Sequence, residues 1–166
     1  MSISNITNRV DQICNLLEEL DGVVHGRKKL QKIVFIASEL GLLPHQYHDF
    51  DWNYYGVYSY ELASDIDIAN RLQFVKEEEE YDGLNTSYKY ELGEKGNEVK
   101  TEFKLNGDQK FILEKDARFL EVLSSIFYFA RKYNDDDKIR DILSKFKGHL
   151  SSYFDEAFET YHNFVD

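Results

Sequence analysis

Four groups of side chains have the types and spacing that could do chemistry, and each has a plainer structural role to set beside it. The basic run Arg27, Lys28 and Lys29, with Lys32 one turn on, opens an apolar helical pattern. The positive end of a helix dipole favours acids there and disfavours cations by roughly a few tenths of a kcal/mol, so something else must hold the run. Lys28 and Lys32 stand four apart on what the pattern makes an exposed face. Such a patch fits phosphate or an acidic surface, or it pairs with this chain's own carboxylates. His45, His48, Asp49 and Asp51 put imidazoles and carboxylates close together, but they lie beside Pro44 and lack H-E-x-x-H spacing, so no metal is expected. Cys14 falls in an apolar stripe, where a thiol behaves as a small hydrophobe rather than a nucleophile. The aromatic series Trp52, Tyr54, Tyr55, Tyr58 and Tyr60 cannot all be buried, because alternate members of a strand face opposite sides. Exposed Tyr and Trp beside a charged rim is the composition of a protein-binding hot spot.

The common catalytic signatures are missing. No Ser sits in G-x-S-x-G, no glycine-rich loop precedes a Lys-Ser/Thr pair, and no G-x-G-x-x-G is present. With 31 acidic residues, pairs of carboxylates carry no information about acid–base work. No enzyme and no cofactor is therefore expected. The 166 residues are 42% hydrophobic, 31% charged and 15% aromatic, which is the composition of a globular chain rather than a disordered one. A single cysteine excludes an intramolecular disulfide. The formal net charge of −11 repels nucleic-acid phosphate over most of the surface, and local basic patches remain the route to such a ligand. The first twenty residues have no basic segment ahead of an apolar core, and the apolar run Ile33 to Ala37 is too short to span a bilayer, so a cytoplasmic chain without a membrane is expected.

These residues must be positioned by regular elements. Ile6, Val10, Ile13, Leu17 and Leu20 recur at helical steps, with Ser4 or Asn5 as N-cap and Asp21-Gly22 as the stop. A second helix over Arg27 to Leu42 carries Leu30, Ile33, Val34 and Ala37 on one face, and Phe35 and Ile36 widen its apolar arc enough to make it central. A strand is expected between Tyr47 and Tyr55, then a third, acidic helix capped by Ser59. FVKEEEEY and SYKYEL flank Asp82-Gly83, which predicts a hairpin or wing. Glu77 to Glu80 on that wing either mimic phosphate or protect a sheet edge. Leu92 to Lys104 is expected to be helical, and from Asp108 three helical patterns follow. The expected fold is α+β and mostly helical, with a winged-helix-like part at 1–107 and a helical part at 108–166 packed on it as one compact domain.

Two stretches carry a family likeness. Arg27-Lys28-Lys29-Leu30-Gln31-Lys32-Ile33-Val34-Phe35, followed by Tyr55-Gly56-Val57-Tyr58-Ser59-Tyr60-Glu61-Leu62, resembles the KLQK and GPYS-x-EL signatures of the YwgA family of bacterial proteins, and more distantly the Panacea antitoxin domain. Val57 stands where the signature has proline. The resemblance implies no catalytic residues, and the Panacea likeness implies a protein-neutralising role. The expected function is a non-enzymatic module that neutralises or regulates a partner protein with a basic surface, as an antitoxin, inhibitor or adaptor would. Trp52, Tyr54, Tyr58 and the exposed carboxylates Glu61 and Asp65 are the expected contact residues. The alternative is a winged-helix DNA-binding regulator using Arg27, Lys28, Lys29, Lys32 and Arg71.

Overall fold

The computed structural model describes residues 3–53 and 56–166. Helix α1 (Ile3–Glu19) leads through a short strand β1 (Val23–His25) into α2 (Arg27–Glu39). A ribbon of β2 (Asp51–Asn53) and β3 (Gly56–Tyr58) precedes α3 (Tyr60–Arg71), and the hairpin β4 (Val75–Tyr81) and β5 (Thr86–Leu92) follows. The rest is helical: α4 (Gly107–Leu113), α5 (Ala117–Ala130), α6 (Asp136–Lys147), a 3-10 segment over Gly148–Tyr153, and α7 (Phe154–Val165). The fold is α+β, mostly helical, with a small antiparallel sheet.

Helix α2 is the axis of the molecule. Every residue from Leu30 to Ala37 is buried, because one face meets α5 and another meets β3 and the sheet. Each fully buried Leu, Ile, Val or Phe contributes about 1.5–3 kcal/mol, so this helix anchors residues from both halves of the chain in one apolar cluster. The sheet order is β1-β5-β4, all antiparallel, with Val24 opposite Tyr90 and Glu77 opposite Tyr90 on the other side. Against the expected order of helix, helix, strand, helix and hairpin, the N-terminal part carries an additional strand β1 between its first two helices, paired with β5, and a two-stranded β2–β3 ribbon before α3. The hairpin turns at Asp82-Gly83, where Gly83 takes φ 92° and Asp82 accepts the amides of Leu84 and Asn85.

Several expectations are corrected. The strand β1 has no apolar alternation long enough to betray it. Helix α1 begins at Ile3, so Ser4 and Asn5 lie inside it, although its stop at Asp21 and Gly22 stands, with φ 65° and 85°. The single strand before α3 is instead the two-stranded ribbon. Helix α4 was not expected and carries Ile112 and Leu113 into the core. Residues 92–104 form no α-helix, only a 3-10 turn over Gly96–Glu98. Side chains of α1 capture the backbone that a helix would need. Asn15 Oδ1 accepts the amides of Glu102 and Phe103 at 2.7 and 3.1 Å, and Glu19 accepts that of Leu105 at 2.7 Å. Gly93 and Gly96 serve close approach: a Cβ there would meet Gln73 O at 2.3 Å and Phe74 O at 2.1 Å.

Candidate functional site

The junction between α2 and α3 is locked from both sides. Gln31 on α2 exchanges two hydrogen bonds with the backbone of Ser59, donating to its carbonyl at 3.0 Å and accepting its amide at 2.9 Å. Ser59 caps α3 as expected, its Oγ accepting the amide of Leu62 at 2.9 Å and donating to Asp49 Oδ1 at 2.5 Å. Asp49 also accepts the Glu61 amide at 3.0 Å, so this carboxylate is a second cap and not part of a metal set. His45 pairs with Glu102, and Asp51 accepts the Tyr128 hydroxyl. Among the described residues no three His, Cys, Asp or Glu side chains come together as a metal site.

Beside that junction opens a cleft of about 540 Å³. Arg27, Lys28 and Lys32 of α2 line one side, Gly56, Val57 and Tyr58 of β3 a second, and Tyr60, Ala63, Ile66 and Asp67 of α3 a third, with Glu77 and Tyr90 from the hairpin. Arg27 is held in place: its guanidinium lies 3.7 Å from the centre of the Tyr88 ring, donates to the Tyr90 hydroxyl at 3.1 Å and pairs with Glu77 at 3.2 Å. Pairing with an own carboxylate thus explains this member of the basic run. Lys29 and Arg71 do not line the cleft, and Arg71 pairs with Asp67 at 3.2 Å.

Lys32 departs from the expectation of an exposed face. It is only 3% exposed, because β3 lies across the turn of α2 that carries it. Its Nζ donates to the Val57 carbonyl at 3.5 Å, the far limit of a hydrogen bond, and among the described residues no carboxylate lies within 4 Å. Burial pushes its ammonium down to about 8; Glu121 opposes this, and Lys147 and Lys28 add to it. Glu121 is itself taken by the buried Lys147 at 2.6 Å.

The expected partner face is divided by the structure. Asp65 is not exposed but 1% accessible, bound by Arg9 at 2.7 and 3.1 Å and by the Tyr47 hydroxyl at 2.6 Å. Packing of α3 on α1 turns this acid inward, where Arg9 neutralises it. Glu61 is half-buried and joins the same Arg9 at 3.2 Å. Trp52 is half-buried against Tyr128, Phe129 and Phe146 of α5 and α6, with ring centres 4.8–6.2 Å apart. Tyr54 lies outside the described residues. Tyr58 and Tyr60 stay together at the cleft, rings edge to face at 5.0 Å, and Tyr60 is 71% exposed. Tyr60 stood in the aromatic series of the sequence but not among the expected contact residues; its place directly after the Ser59 cap was the signal that it projects.

The acidic wing is largely matched within the chain. Glu77 pairs with Arg27, Glu78 with Lys76 and Lys89, and Glu80 with His25. Strand β4 is an edge of its sheet, where such charges block pairing with another strand. Cys14 is buried, and burial raises its thiol to about 12.

These features define a mixed α+β chain whose central helix and third helix frame one cationic, aromatic cleft. The chain is 34% identical over 145 residues to the uncharacterised protein YwgA of Bacillus subtilis (strain 168), covering 83% of this chain and 86% of that one. It belongs to the YwgA family. No family model and no solved structure matches it. Among the described residues no helix is long and apolar enough to cross a membrane.

Proposed function

We propose that the chain is a non-enzymatic binding module that regulates a partner protein carrying a basic surface, in the manner of an antitoxin, inhibitor or adaptor. The observation that supports this role is the Tyr58–Tyr60 pair, in which the exposed Tyr60 packs edge to face on a half-buried Tyr58 beside Asp67 on the outer face of α3. Tyrosine anchors with a charged rim supply most of the energy of transient interfaces, and the net charge of −11 speeds encounter with a basic partner. Trp52 and Asp65 leave the contact set and Tyr60 and Asp67 enter it. The neutralising role implied by the distant Panacea likeness belongs to this proposal. A DNA-binding role draws support from the helix and hairpin order. Against it, the outer face of α3 offers Glu61, Ser64 and Asp67, where base readout and phosphate contact call for Arg, Lys, Asn or Gln.

The test is a photo-crosslinking residue at position 60, compared with one at Phe111, which is exposed on α4. One protein captured from nuclease-treated host lysate through position 60 and not 111, and weakened when Asp67→Asn is added, supports the role. Tyr60→Ala should then lower affinity for that protein by roughly thirtyfold, about 2 kcal/mol. Equal capture at both positions, or recovery of nucleic acid alone without nuclease, overturns it.

A further inference from the structure

We infer that the cleft between α2, β3 and α3 is a binding site for a small organic anion, in which the Lys32 ammonium takes a carboxylate or phosphate group and the aromatic and apolar walls take a flat ring. This goes beyond partner capture and does not depend on it.

The inference starts from charge. A buried ammonium needs a counter-ion or acceptors for its three protons, since nothing else replaces the hydration it loses. Among the described residues Lys32 has one acceptor, the Val57 carbonyl, at the longest useful distance. Each carboxylate of the neighbourhood is engaged elsewhere: Glu77 by Arg27, Asp67 by Arg71 and Glu121 by Lys147. Lys32, Lys147 and Glu121 together therefore leave one positive charge uncompensated beneath the cleft. Lys28 adds a second cation to the lining. A folded chain that keeps an unmatched buried charge where an apolar residue would fit marks a site rather than a packing device.

The shape of the cleft narrows the ligand. Its volume lies within the roughly 300–1,000 Å³ of small-molecule sites, enough for an aromatic acid or a mononucleotide. Tyr58, Val57 and Ile66 provide flat and apolar wall, and Tyr90, although buried, presents its hydroxyl toward Arg27 at the hairpin side. Gly56 lets the backbone of β3 run beside the ammonium: its φ of 101° is one that L side chains rarely adopt, and a Cβ built there would lie 3.8 Å from Lys32 Nζ, in ordinary contact. The reciprocal Gln31–Ser59 bonds and the Asp49 cap hold the walls in position without a ligand. Such a preformed site loses little order on binding.

The experiment uses the full chain labelled with 13C at the lysine ε position, with the Lys32 signal assigned by its loss in Lys32→Met. Adenosine 5′-monophosphate and benzoate are titrated to millimolar concentration, beside their uncharged counterparts adenosine and benzamide and beside inorganic phosphate. A saturable shift of the Lys32 signal with at least one organic anion, absent with its uncharged counterpart, is expected. Calorimetry should show that Lys32→Met weakens that anion tenfold or more while Lys115→Met, in a surface pair with Glu156, leaves it unchanged. Thermal unfolding confirms that both variants remain folded. No saturable shift with any of the three anions, or equal binding to Lys32→Met, overturns the inference.

Discussion

Replacing the buried ammonium with an apolar chain of similar length should make the protein more stable, and the gain should shrink as pH rises. Lys32 has an ordinary value of 10.5 in the unfolded chain and about 8 when folded, principally because burial removes its hydration. The folded state therefore gives up this proton more readily than the unfolded state does. Below pH 8 both states carry it and the full cost, about 3 kcal/mol, falls on the folded chain. Between pH 8 and 10.5 the folded ammonium is neutralised first, so stability attributable to this group rises, and at pH 10 the remaining cost is about 1 kcal/mol. Lys32→Met preserves volume and removes the charge. Urea unfolding of both proteins at pH 7 and pH 10 measures the margin, and every other titrating group is common to the two and cancels in the difference. The variant should exceed the wild type by up to about 3 kcal/mol at pH 7 and by about 1 kcal/mol at pH 10. Equal or lower stability of the variant at pH 7, or a margin unchanged between the two pH values, would refute the assignment of an uncompensated charge.

Two further outcomes follow from groups that the structure buries. Asp65→Ala removes two hydrogen bonds from the buried Arg9, which keeps Glu61 at 3.2 Å, and the acceptor of the Tyr47 hydroxyl, and should destabilise the protein by about 1.5–3 kcal/mol in denaturant unfolding, whereas an exposed acid would change stability by less than about 0.5. Cys14, with its thiol raised to about 12, should not react with a disulfide reagent in the native state at pH 8 and should react fully in urea; a fast native reaction would contradict its burial in α1.

Strong local chemistry was legible, and tertiary capture was not. The continuous apolar arc of α2, the Ser59 cap and the Asp82-Gly83 turn each have one local solution, and each is present. The failures share a cause: a distant side chain decided the outcome. Asn15 and Glu19 reach from α1 to bind the backbone amides of Glu102, Phe103 and Leu105, against a local pattern that reads as helix. Asp65 looked like a solvated acid because helical spacing shows which face a residue occupies but not that an arginine 56 positions earlier waits on it. Of the candidate site, Arg27, Lys28 and Lys32 were visible as a cluster and do share one cleft. Their roles were not visible, since sequence gives no sign that β3 would cover Lys32 and leave Lys28 outside.

The distribution of charge reverses what the composition suggests about where recognition lies. An excess of 11 acids makes negative charge the expected currency of any contact, yet Glu77 and Glu78 of the wing are bound to Arg27 and Lys89, and the most buried acid is bound to Arg9. Such pairs are nearly neutral toward a partner and worth little to stability where they are exposed. Among the described residues, Lys32 is a buried cation with no carboxylate within 4 Å. Net charge governs long-range encounter, because unpaired surface acids sum over distances near the Debye length. A buried unmatched charge governs what is held at contact, because there the interaction is strong and water does not compete. On the two proposals above, the acidic exterior would act at long range on a protein partner and the cationic cleft at contact on a small anion, and the two uses would share Tyr58, which lines the cleft beside Tyr60.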